Sequence, residues 1–150
     1  MIRYETRTHI DRPPAAVFAV LLDADRYHEW SPMTDSRFDG GGPVGLGTRG
    51  RFRLPGTPFK GDLEMEVVEF ELDRRIVFRV THPSLTWIGW SETQPDGEGT
   101  LFVYGGEVTL HGWRRILEPM LKAEFAAGEA KEAEKLKAML EAEARIAVPA

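Results

Sequence analysis

No cysteine occurs among the 150 residues, which excludes disulfide staples, zinc–thiolate sites and thiol nucleophiles together. Basic residues are also in deficit: 19 Lys and Arg stand against 24 Asp and Glu, a net charge of -5. A nucleic-acid surface needs clustered cations, and an anionic membrane surface attracts the same groups, so neither partner is expected. No run approaches the ~20 apolar residues of a membrane span, so stable membrane insertion is not expected. The opening residues Met1-Ile2-Arg3-Tyr4-Glu5 carry charges where a signal peptide needs an apolar stretch, and cytoplasmic residence is the default expectation.

Motifs for several chemistries are lacking as well. His9, His28, His82 and His111 show no metal-ligand spacing, so no metal is expected. Ser31, Ser36, Ser84 and Ser91 sit in no Gly-x-Ser-x-Gly elbow. Gly40-Gly41-Gly42 is followed by no phosphate-cradle signature, which argues against nucleotide chemistry and for no cofactor. That glycine run reads as a flexible hairpin loop placed to gate a cavity.

What is present is an ordinary globular composition, 42% hydrophobic and 29% charged, in a length that suits one domain over 1–150 with its own core. Ile2, Tyr4, Thr6, Thr8 and Ile10 alternate with Arg3, Glu5, Arg7 and His9, the period of a half-buried strand. Asp11 is placed to cap a short helix that opens on Pro13 or Pro14 and carries Val17, Phe18, Leu21 and Leu22 on one side. A second short helix or turn spans Asp23 to Trp30. From Met33 to His111 the signals are those of strands, with runs at Gly47–Leu54, Asp62–Leu72, Ile76–His82, Leu85–Thr93 and Gly99–His111. Turns such as Asp73-Arg74 and Asp96-Gly97 favour antiparallel pairing. The chain then changes period, and a helix is expected over Pro119–Glu143, inside a stretch rich in Ala, Glu, Lys and Leu. The expected class is α+β: a curved antiparallel sheet of about seven strands wrapped around a long C-terminal helix.

At ~100° per residue, Leu121, Phe125, Leu136, Met139 and Leu140 form one apolar stripe, and Gly128 and Glu132 fall midway along it. Either the helix faces a cavity there, with Glu132 near a ligand, or it rotates so that Glu132 reaches water and Gly128 serves close packing. Candidate walls on the strands are Phe78 and His82 on one face, and Phe102 and Tyr104 on one face of the next long run. Trp87 and Trp90 lie on opposite faces of their strand, so only one points inward. Trp90 is carried as the candidate, and the choice stays open. Trp30 is placed to close the mouth. His82 is the side chain suited to acid–base work near neutrality, and Tyr104 to donating a hydrogen bond to a carbonyl or enolate.

Ile10-Asp11-Arg12-Pro13-Pro14-Ala15-Ala16-Val17-Phe18, then Leu21-Leu22-Asp23 and Tyr27-His28-Glu29-Trp30, resemble the opening signature of the START-related polyketide cyclase/dehydrase superfamily. Pro43-Val44-Gly45-Leu46-Gly47-Thr48, Asp96-Gly97-Glu98-Gly99-Thr100, and Gly112 leading into Leu117-Glu118-Pro119 continue the likeness. Leu136-Lys137-Ala138-Met139-Leu140-Glu141 ends it, so the resemblance covers nearly the whole chain. It implies a helix-grip fold. It also implies one of three roles: a binder or carrier of a hydrophobic or aromatic small molecule, a cyclase or dehydratase, or a co-chaperone-like interaction module. The binder reading expects a closed cavity of several hundred Å3. An apolar outer strip on the helix would support a homodimer, though nothing demands one.

Overall fold

The computed structural model describes residues 1–147. Seven strands form one antiparallel sheet in the order β1-β7-β6-β5-β4-β3-β2. They are β1 (Ile2–Ile10), β2 (Thr34–Phe38), β3 (Arg49–Arg53), β4 (Leu63–Glu71), β5 (Arg75–His82), β6 (Leu85–Asp96) and β7 (Gly99–Leu110). Two short helices, α1 (Pro14–Leu21) and α2 (Tyr27–Trp30), follow the first strand, and α3 (Glu118–Ala147) closes the chain. This is the helix-grip arrangement. At ~1.5 Å per residue α3 runs about 45 Å. No described helix is both long and apolar enough to cross a membrane.

Register decides which side chains meet. Tyr4 pairs with Gly106, which pairs in turn with Gly89, while Trp87 pairs with Val108 and Val80. Paired residues point to the same face, and neighbours along a strand to opposite faces. Ile2, Tyr4, Tyr104, Gly106, Val108, Trp87 and Gly89 therefore share the concave face, over which α3 packs. Arg3, Glu5, Glu107, Ile88 and Trp90 share the convex face. A register shift in β4 between Val67 and Glu69 interrupts its alternation.

The elements depart from expectation in four places. Asp11 does not cap α1: Pro13 occupies the cap without a side-chain bond, and the Asp11 backbone N–H donates instead to Glu141 at 2.8 Å. Thr34–Phe38 forms an edge strand that no separate run announces, because Phe38 is its only large apolar side chain. β6 runs on through Pro95, which is tolerated because β5 pairs with β6 only as far as Glu92, leaving that end paired on one side. α3 starts one residue earlier than expected and runs on to Ala147.

The interior is three apolar clusters rather than one. Val17, Phe18, Leu21, Phe102, Leu136 and Leu140 centre the first, between α1, the sheet and the far half of α3. Ile2, Tyr4, Val108 and Leu110 centre the second, with Leu121 and Phe125 packed on it. Phe52, Leu63, Met65 and Val80 centre the third. Trp87 packs against both the second and the third.

Candidate functional site

Where the three clusters meet, the packing is incomplete. An inner chamber of about 60 Å3 is lined chiefly by Trp30, Met33, Phe78, Trp87, Tyr104 and Glu129. An outer chamber of about 320 Å3 lies between α3 and the segment Leu54–Phe59, bounded by Tyr4, Phe125, Gly128, Glu129 and Glu132. Met33, Trp87 and Glu129 border both chambers and form a waist. The expected closed cavity of several hundred Å3 is therefore corrected. Large side chains from sheet and helices fill most of the interior, and the greater part of the volume belongs to the outer chamber. Its mouth is bordered by the segment at 54–59 rather than by the glycine loop at 40–42.

The candidates read from sequence divide accordingly. Trp30, Phe78 and Tyr104 line the inner chamber; Leu121, Phe125, Gly128 and Glu132 line the outer one. Phe102 is fully buried, stacks on Tyr104 at 5.3 Å between ring centres and lines neither chamber. His82 shares a face with Phe78 and Val80, but at the strand end its ring meets the Lys60 carbonyl at 2.8 Å and accepts from the Ser84 N–H, away from both chambers. Trp90 lies on the convex face, where its indole donates to Glu5 at 2.9 Å and Arg3 stacks over its ring. Trp87 is the tryptophan that faces inward.

Two residues central to this site went unread. Tyr4 sits on the alternating face of β1, where the two-residue period marks a half-buried strand and nothing marks a site. Glu129 falls one helical turn after Phe125 and two before Leu136. The inward line of α3 runs Leu121, Phe125, Glu129, Ala133, Leu136 and Leu140, with Glu129 4% exposed and Ala133, Leu136 and Leu140 buried. Gly128, placed on that line by the sequence reading, is exposed and only rims the outer chamber.

The polar atoms around the waist are mostly without a protein partner. Tyr4 Oη, Trp30 Nε1, Trp87 Nε1 and Glu129 Oε1 are all buried and have no hydrogen-bond partner among the described residues. Trp87 Nε1 stands beside the Tyr4 hydroxyl, close enough to oppose slightly the rise in that hydroxyl's pKa, yet without hydrogen-bond geometry. One pair is made: Tyr104 donates to Glu132 at 3.2 Å. Burial, followed by the charge of Glu132, pushes the Glu129 carboxyl up to about 9. Burial also raises Glu132, to about 7, with the Tyr104 hydrogen bond and then Lys135 pulling the other way. Both tyrosine hydroxyls are raised by burial first and by the two carboxylates next. Near neutrality Glu129 is thus a protonated acid, and Glu132 is poised between its two forms.

A family model described as polyketide cyclase / dehydrase and lipid transport matches residues 1–141. The chain belongs to that family. No curated protein matches its sequence. Among solved structures it is similar to the di-domain ARO/CYC StfQ of the steffimycin biosynthetic pathway (TM-score 0.75, 16% identity), covering 96% of this chain and 52% of that one. A norcoclaurine synthase point mutant from Thalictrum, solved with a transition-state analogue, superposes with a TM-score of 0.69 at 11% identity, covering 94% of each chain. The Aha1 dimer from Colwellia psychrerythraea gives 0.66 at 16% identity, covering 94% of this chain and 97% of that one. The fold is shared across these proteins; function in this member of the family rests on the site.

Proposed function

We propose that this protein binds or carries a hydrophobic or aromatic small molecule in the chambers between α3 and the concave face of the sheet. The observation that carries this reading is the set of unpaired buried polar atoms at the waist, surrounded by aromatic walls. A buried donor or acceptor without a partner costs about 1–3 kcal/mol, and native proteins leave few of them. Four gathered around two adjoining chambers fit a site completed by a ligand, since apolar walls with a few convergent polar groups are what small-molecule pockets use. The co-chaperone-like alternative is less well supported, because it gives no role to the unpaired polar atoms that gather on the concave face. Native mass spectrometry of gently purified protein, followed by titration with the neutral dye Nile red, tests the proposal. A co-purified mass or saturable dye binding is expected. The absence of both a co-purified mass and saturable dye binding would overturn it.

A second reading, an enzyme of the cyclase or dehydratase type, is favoured by Glu132. A carboxyl raised to about 7 and held by Tyr104 beside a protonated Glu129 suits proton transfer at neutral pH. The groups it requires are Glu132 and Tyr104, not His82. Hydrogen–deuterium exchange at the carbon next to the carbonyl of α-tetralone, followed by NMR, tests it. Exchange above the buffer rate that is lost in Glu132→Gln supports catalysis, and exchange at the buffer rate excludes this role for Glu132.

A further inference from the structure

We infer that the ligand is an uncharged molecule that presents a carbonyl or similar acceptor oxygen to the Tyr4 hydroxyl and the Trp87 indole N–H, above Gly106. This inference rests on the binding reading and adds the chemical class of the ligand. A methyl group at Gly106 would meet Trp87 Nε1 at 2.5 Å and Tyr4 Oη at 2.7 Å. The two polar atoms therefore converge over one glycine. Both are buried, and neither has a protein partner. An indole N–H only donates and a phenol donates readily, so the group that completes this pair is an acceptor. Trp30 Nε1, a third donor without a partner, belongs to a side chain lining the inner chamber and gives the same sign.

Charge narrows the class further. Among the described residues no Lys, Arg or His lines either chamber, whereas Glu124, Glu129 and Glu132 do. The other titratable groups around the site are Tyr4 on β1, Tyr104 on β7 and Tyr27 on α2, the last already donating to the Leu21 carbonyl at 2.5 Å. A carboxylate or phosphate would meet acids with no cation to offset them. An ammonium would be drawn to those acids, but it carries no lone pair and so cannot satisfy the Trp87 and Trp30 indole N–H groups. Burial keeps Glu129 protonated at neutral pH, so it too is available to donate to an oxygen. The outer chamber, at about 320 Å3, has room for a bicyclic body with its oxygen turned to the waist.

The test uses four molecules of one shape on the intact protein: α-tetralone, tetralin, tetralin carboxylate and aminotetralin. Binding is followed by tryptophan fluorescence and by the indole N–H resonance of Trp87. The ketone is expected to bind about tenfold tighter than the hydrocarbon and to move that resonance downfield. Trp87→Phe and Tyr4→Phe should each shrink the ketone-to-hydrocarbon ratio about threefold or more, in the range of one lost hydrogen bond. Circular dichroism establishes that each variant is folded, and Trp90→Phe, on the opposite face, should leave the ratio unchanged. Equal binding of tetralin and α-tetralone overturns the inference while leaving the binding reading intact, as does tightest binding of the carboxylate or the amine. Binding of none of the four overturns the inference together with the reading beneath it.

Discussion

Trp87 and Trp90 stand three residues apart on β6, on opposite faces of the same sheet, and their surroundings differ in kind. On the convex face the indole of Trp90 donates to Glu5 at 2.9 Å beneath Arg3, and Arg3 itself pairs with Glu107. Arg75 joins Glu69 and Glu92 nearby. On the concave face the indole of Trp87, the hydroxyl of Tyr4 and an oxygen of Glu129 have no protein partner. Each tryptophan lies against its own glycine, Trp90 on Gly105 and Trp87 on Gly106. The convex face has its polar groups satisfied and reads as finished structure. The concave waist carries a cost in stability that a purely structural core would have shed, which is the pattern of a site.

The largest expected effect comes from removing that cost. Below about pH 4.5 the Glu129 carboxyl is protonated whether the chain is folded or not, so it contributes nothing to the pH dependence of stability. As pH rises the unfolded chain ionises while the buried acid holds its proton up to about 9. The unfolded state is therefore favoured progressively through that window, at about 1.4 kcal/mol per pH unit. By neutral pH this amounts to roughly 3 kcal/mol. Glu129→Gln should unfold at the same denaturant concentration as the parent at pH 4.5 and be more stable by roughly that amount at pH 7. A difference that does not change with pH would show that Glu129 is not held protonated.

The two glycines come next. Gly105→Ala drives a methyl onto the Tyr4 carbonyl at 2.6 Å and the Trp90 ring at 2.9 Å, whereas Gly106→Ala meets the Trp87 ring nitrogen at 2.5 Å, the Tyr4 hydroxyl at 2.7 Å and the Ile88 carbonyl at 3.0 Å. Overpacking typically costs about 1–3 kcal/mol. Both variants should fall within that range by urea denaturation. Only Gly106→Ala should weaken ketone binding. Loss of binding in both would mean that the sheet as a whole, rather than its concave face, had been disturbed.

Much of the fold was legible because its signals are local: the two-residue alternation of β1, the turns at Asp73-Arg74 and Asp96-Gly97, and the helix formers of α3. Thr34–Phe38 was not separable as a strand, because an edge strand with one large apolar residue has almost no pattern of its own. The site was legible in part. Gly128 and Glu132, marked by their break in the apolar stripe, border the outer chamber, and Tyr104 borders the inner one. Glu129 was missed although its spacing from Phe125 and Leu136 places it on the inward line, because a search for apolar residues passes over an acid. The inward tryptophan could be assigned only from pairing, which sets Trp87 in the row of Ile2 and Val108. His82 has the right parity, but its place at a strand end turns the ring to a backbone carbonyl, and parity carries no information about that.

The smallest effect is also the one that isolates the two faces most cleanly. Trp90→Phe removes the donor from a part-exposed Glu5, so the lost hydrogen bond should cost about 1 kcal/mol, moderated by water reaching that carboxylate. Trp87→Phe removes an indole N–H that has no protein partner to lose, so deleting it relieves a desolvation cost while the smaller ring forfeits some packing. The two terms oppose each other, and Trp87→Phe should be the less destabilising of the pair when both are measured in urea. Saturating α-tetralone should then separate the variants. It should raise the unfolding midpoint of Trp90→Phe as much as that of the parent, and that of Trp87→Phe by clearly less, because only states that bind the ligand gain stability from it. If ligand stabilises the two variants equally, the inward-facing indole is core and the difference between the faces is one of packing alone.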